Sequence, residues 1–112
     1  MENKNFHYDE FSDSIIISNK QENEKVIDNF EIGDIIFSLT GKGKIISIEI
    51  RGFSSFLNSC NIAPEILENL KNIQFSVVPK NKSLFLLLKI ESAQGQTIVL
   101  NNVPLVVPLI AL

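Results

Sequence analysis

The chain has no tryptophan, and among its 112 residues there is only one each of tyrosine (Tyr8), cysteine (Cys60), histidine (His7) and arginine (Arg51). Each scarcity removes a class of chemistry. A single cysteine excludes an intrachain disulfide and the zinc patterns built on paired cysteines. One arginine and singly scattered lysines supply no basic stripe, and the formal net charge is −3. Nucleic-acid binding depends on basic patches that displace counterions from phosphates, so no nucleic-acid partner is expected. No apolar stretch approaches the about 20 residues of a membrane-spanning helix. The longest, Val103 to Leu112, is interrupted by Pro104 and Pro108 and is not read as a membrane anchor. The opening MENKNFHYDE lacks the apolar core of a secretory leader. With the lone thiol, that points to the cytoplasm.

What is abundant is phenylalanine, eight in all, within a chain that is 45% hydrophobic and 21% charged. This is globular composition, and the length suits one domain. Phenylalanine fills a core without needing a hydrogen-bond partner, so these rings are read as packing.

Period-2 alternation dominates. Phe6 and Tyr8 alternate with His7 and Asp9, and Asp9 to Ser14 carries turn formers. Ser14 to Ser18 (SIIIS) is an unbroken apolar strand, expected to be buried on both faces or paired across a subunit boundary. Lys25 to Ile32 reads as irregular, Gly33-Asp34 as punctuation, and Ile35 to Leu39 as a strand. Thr40 to Lys44 is a Gly-rich hairpin turn. In Ile45 to Arg51, Ile46, Ile48 and Ile50 face one side while Ser47, Glu49 and Arg51 face the other. Phe53 to Leu57 reads as a short helical turn or an irregular corner. The helix is expected over Ala63 to Leu70, with Pro64 in its first turn and Asn61 or Asn58 as cap. Ile73 to Val78, Leu84 to Ile90 (LFLLLKI) and Thr97 to Leu100 read as strands separated by turns at Pro79 to Ser83 and Ala93 to Gln96. The expected fold is α+β: a mainly antiparallel sheet of about seven strands, sandwich- or barrel-like, with one short α-helix, forming a single domain over residues 1–112.

Two segments resemble a known family. Tyr8-Asp9-Glu10-Phe11-Ser12-Asp13-Ser14-Ile15-Ile16-Ile17 is similar to the opening hairpin of the DUF2283 family of small bacterial and archaeal proteins. Ile32 to Phe37, leading to Lys44 to Ile50, looks like its second hairpin. Asp13 and Glu49 stand where the family usually has acids. Thr40-Gly41-Lys42-Gly43 departs from its acidic turn, and residues 58–112, read as a helix plus additional strands, lie beyond the likeness, which spans residues 6–57. The resemblance implies a small β-rich module that self-associates, with a toxin-like protein as a partner class, and no catalytic site.

Four constellations invite chemistry. His7, Asp9, Glu10 and Asp13 are close enough in sequence to suggest oxygen ligands for a hard cation, yet their spacing is not that of an EF-hand loop, and Asp and Ser are ordinary turn residues. Gly41 to Lys44 has the flavour of a phosphate loop, but a strand follows where that motif requires a helix. Cys60 and His7 form the only nucleophile–base pair available, on different segments. Glu49 with Glu31, Asp34 or Asp28 offers paired carboxylates, though Glu49 falls on the polar face of its strand. No catalytic residue, metal ligand or cofactor is therefore assigned. The tail VPLVVPLIAL is expected either to dock on its own core or to reach a second subunit as an edge strand. The functional expectation is a non-enzymatic interaction or structural module, homodimeric, with a small-molecule or divalent-metal binding protein using the turn Asp9 to Asp13 as the alternative.

Overall fold

Alternating apolar residues define eight strands in the computed structural model, which describes residues 5–80 and 83–105. The first five are β1 (Phe6–Asp9), β2 (Ser14–Ser18), β3 (Asp28–Ile32), β4 (Ile35–Leu39) and β5 (Ile45–Arg51). They form one antiparallel sheet in the order β1-β2-β5-β4-β3. Then come helix α1 (Phe53–Ser59) and a 3-10 helix (Pro64–Asn69). A second antiparallel sheet follows, β6 (Leu70–Lys80), β7 (Ser83–Ser92) and β8 (Thr97–Leu105), in that order. The protein is α+β and mainly antiparallel sheet.

The inner faces of both sheets meet in one core. Ile15, Ile17, Phe37, Ile48 and Ile50 come from the first sheet, and Ile73, Phe75, Leu86, Leu88 and Ile90 from the second. Phe53 and Leu57, four residues apart on α1, fill the space between. Burial of these side chains, each worth roughly 1.5–3 kcal/mol, is the main force joining the layers. Two side-chain amides add a polar seam: Asn5 Nδ2 donates to the Ile73 carbonyl at 3.1 Å and Asn19 Nδ2 to the Phe75 carbonyl at 3.2 Å. Both carbonyls belong to β6, an edge strand, so the first sheet satisfies acceptors that β7 cannot.

Four expectations are corrected. Residues 28–32, read as irregular, form β3, because hairpin pairing with β4 overrides their polar composition. The α-helix is Phe53–Ser59: of the two readings of Phe53 to Leu57 the helical turn holds, continued by two residues, and the irregular corner does not. The Ala63 to Leu70 segment is a 3-10 helix capped by neither Asn58 nor Asn61; its N-cap is the extended Ala63, and Leu70 already belongs to β6. Six residues between two extended ends leave too little length for a stable α-helix. SIIIS is not buried on both faces: Ile15 and Ile17 are in the core, while Ile16 points outward and is 45% exposed. In LFLLLKI, Leu86, Leu88 and Ile90 are buried, but Phe85 and Leu87 are only half-buried on the outer face. Of the apolar tail, Val103 to Leu105 pair with β7; residues 106–112 lie outside the described residues.

Candidate functional site

The turn Asp9 to Asp13 does not gather its acids around one point. Asp9 Oδ1 accepts the Phe11 N–H at 2.9 Å, an Asx-type turn that holds the β1–β2 hairpin closed. Glu10 and His7 are exposed, and Phe11 at the tip is fully exposed. Asp13, at φ 52, turns its carboxylate the other way, into the protein. Its Oδ1 accepts the Tyr8 hydroxyl at 2.5 Å and the Ser54 N–H at 3.1 Å, and its Oδ2 accepts the Ser54 hydroxyl at 2.6 Å. The Asp13 carbonyl accepts the Phe53 N–H at 2.9 Å.

This arrangement is a helix cap supplied from another segment. Gly52, at φ 65, redirects the chain from β5 into α1 and has no side chain to satisfy the first helical N–H groups. Asp13 supplies the acceptors instead. Burial alone would raise its pKa, but the hydrogen bonds from Ser54 and Tyr8 outweigh it and hold the carboxyl below its ordinary value. Burial, donation to Asp13 and the neighbouring negative charges push Tyr8 up to about 12. Tyr8 also packs its ring 6.3 Å from that of Phe53.

The other candidate residues are dispersed. Gly41 to Lys44 forms the β4–β5 turn, closed by Thr40 N–H to the Lys44 carbonyl and Gly43 N–H to the Thr40 carbonyl, both at 2.9 Å. Lys44 meets Glu24 at 2.9 Å. Cys60 follows α1 and packs half-buried against the core, whereas His7 faces outward on β1. Glu49 lies on the outer face of β5 between Ile16 of β2 and Ile36 of β4. Glu31, beyond Ile36 on β3, pairs with Arg51 at 2.9 Å. Glu49 and Glu31 thus stand two strands apart, roughly 10 Å at the usual inter-strand spacing. Among the described residues, no three His, Cys, Asp or Glu side chains converge as a metal site would require, and no helix is long and apolar enough to cross a membrane.

Two open concavities were not foreseen from the sequence. One, of about 400 Å³, lies on the outer side of the second sheet and is lined by Asn19, Gln74, Ser76, Leu87, Lys89 and Val99, among others. On the same outer face Val78 and Val99 are 40% and 53% exposed, beside the half-buried Phe85 and Leu87. The other, of about 440 Å³, lies between the 3-10 helix and the start of β8, where Ile62, Ile66 and Ile98 meet the carboxamides of Asn61, Asn69, Gln94 and Gln96. Those four carboxamides have no partner among the described residues. The backbone of two of them is hydrogen-bonded: Ala93 N–H donates to the Asn69 carbonyl at 2.7 Å, and Ser92 N–H to the Gln96 carbonyl at 2.8 Å. The density of Asn and Gln in Asn58 to Asn69 and Gln94 to Gln96 is the only trace of this groove in the sequence.

Comparison with protein-family models, with curated proteins and with solved structures finds no match for this chain.

Proposed function

We propose that this protein is a non-enzymatic interaction module that self-associates through the outer face of its second sheet. The supporting observation is the group Val78, Phe85, Leu87 and Val99, apolar side chains on the side of the sheet turned away from the core. An apolar sheet face left in water is costly, and covering it is the simplest relief. A two-fold pair, the commonest arrangement of identical chains, would place this face against its copy. The edges are less suited to that role. On β6, Asn5 and Asn19 already occupy backbone acceptors, and β8 is interrupted by a register shift opposite Leu87 and by Pro104. The likeness of residues 6–57 to the DUF2283 family is in keeping with a small self-associating β module, and a toxin-like neighbour is a second partner class that the likeness suggests.

Sedimentation equilibrium over a wide concentration range tests the reading. The expected result is a dimer mass for the unaltered protein and a monomer mass for Val78→Lys, with unchanged circular dichroism. A monomer at every concentration would overturn it.

A further inference from the structure

We propose that the first half of β8, with the groove beside it, binds an extended peptide as an added strand. Three observations converge there. Among the described residues β8 is an edge strand paired with β7 alone, so within that set one side of its backbone offers unpaired N–H and C=O groups. Over Thr97 to Leu100 the pairing with β7 is regular, whereas the second half is broken by the register shift and by Pro104, which has no N–H to give. Only the first half can therefore template a regular ladder.

The groove lies at the start of β8, beside its turn from β7. Ile98 belongs to β8 and Ile62 and Ile66 to the segment carrying the 3-10 helix. A strand added beside Thr97 to Leu100 would send alternate side chains inward over these isoleucines. The carboxamides of Asn61, Asn69, Gln94 and Gln96 border the same space without partners among the described residues. Each carries both donor and acceptor, the complement of a peptide group, so they can pair with backbone that β8 does not reach.

The chemistry also narrows the ligand. Among the described residues no aromatic ring lines the groove, which leaves it without the stacking platform that nucleobases use. Among the described lining residues Glu65 alone is ionisable, and the chain is net acidic, so the favoured peptide is neutral or basic with small apolar residues at alternate positions. The groove is lined by the inner-facing Ile98, whereas Val99 is shared: its side chain belongs to the outer face and its backbone to the strand that would be extended, so the two sites adjoin at that residue.

The test is titration of isotope-labelled protein with acetyl-Ser-Val-Lys-Val-Ser-Val-amide, followed by two-dimensional NMR. The expected result is saturable shifts in the Thr97 to Leu100 amides and in the side-chain amides of Asn61, Asn69, Gln94 and Gln96. The same peptide N-methylated at alternate residues should lose binding, because it lacks the N–H groups of a ladder. Asn69→Ala and Gln96→Ala should each weaken binding about threefold to tenfold, the range expected for one hydrogen bond. Val78→Lys should bind like the unaltered protein, which separates this result from the self-association experiment. Absence of saturable shifts at millimolar peptide, or equal binding by the N-methylated form, would overturn the proposal. Unchanged affinity in both groove variants would overturn the role given to the carboxamides.

Discussion

Asp13 and Ser54, 41 residues apart in the chain, meet with the Ser54 hydroxyl donating to the Asp13 carboxylate at 2.6 Å and the Ser54 N–H donating to it at 3.1 Å. Through that contact the β1–β2 turn caps α1, a helix of seven residues that begins on a glycine with no side-chain cap of its own. The turn and the helix are therefore one energetic unit.

Asp13→Asn preserves tolerance of the left-handed backbone but removes the charge and turns one acceptor oxygen into an NH2 donor, and should cost about 0.5–1.5 kcal/mol, the net worth of one hydrogen bond. Ser54→Ala should cost a similar amount. In a double-mutant cycle followed by urea denaturation, the pair should be coupled by about 0.5–3 kcal/mol, as residues in direct contact are. Strict additivity would show that the cap is not shared.

The same carboxylate makes stability depend on pH in the acid range. Its folded-state pKa lies below its ordinary value, so the folded protein resists protonation there more than the unfolded chain does. The contribution is present above the ordinary carboxylate range and is lost as pH falls through the folded value. Thermal melts from neutral pH downward should fall less steeply for Asp13→Asn than for the unaltered protein.

Tyr8 supplies a direct spectroscopic reading, because it is the only tyrosine and there is no tryptophan. Ultraviolet difference titration of the folded protein should place its ionisation at about 12, above the ordinary tyrosine value of 10.0. Stability from this group is complete below the unfolded value and declines as pH rises through the folded one. Asp13→Asn should move the titration downward by removing the carboxylate that accepts its proton. An ordinary tyrosine titration in the folded protein would contradict the Tyr8–Asp13 bond.

Asn19→Ala removes the donor to the Phe75 carbonyl and leaves an acceptor on the edge strand β6 less well satisfied. A loss of about 0.5–1.5 kcal/mol is expected, the net worth of a typical hydrogen bond. Combining it with Asn5→Ala should accelerate hydrogen exchange in β6 more than in β5. Uniform acceleration through both sheets would argue against a local seam.

Phe37, fully buried on β4, stacks on Phe30 with ring centroids 4.7 Å apart. Phe37→Ala should cost about 3–5 kcal/mol, the range for deleting a buried aromatic side chain. Phe30→Ala should cost less, since Phe30 is only half-buried on the edge strand β3. Denaturant midpoints measured at equal slopes check the ranking.

The strands were legible where alternation was clean. Ile46, Ile48 and Ile50 of β5 are all buried, as their spacing required. Phe6 and Tyr8 pack against the core while His7 and Asp9 are exposed. The helices were only partly legible: Phe53 to Leu57 left a helical turn and a corner open, since α1 owes its start to a carboxylate from a distant turn, a relationship no local spacing encodes. Unbroken apolar runs also misled: SIIIS and LFLLLKI carry no mark that distinguishes the core face from the outer one. The groove bordered by Asn61, Asn69, Gln94 and Gln96 was invisible because its two walls are about 30 residues apart and Asn and Gln are ordinary loop residues.

By itself, the amino-acid order determined the strand-rich α+β character and the faces of the alternating strands, because side chains point to opposite sides at every step of an extended chain. It also bounded the available chemistry through what is scarce. Only the tertiary structure decided that Asp13 serves as a helix cap, that Glu49 and Glu31 stand apart, and that four carboxamides share a groove. Those outcomes depend on which distant segments the core draws together, and hydrophobic burial, being non-directional, leaves no local signature of them.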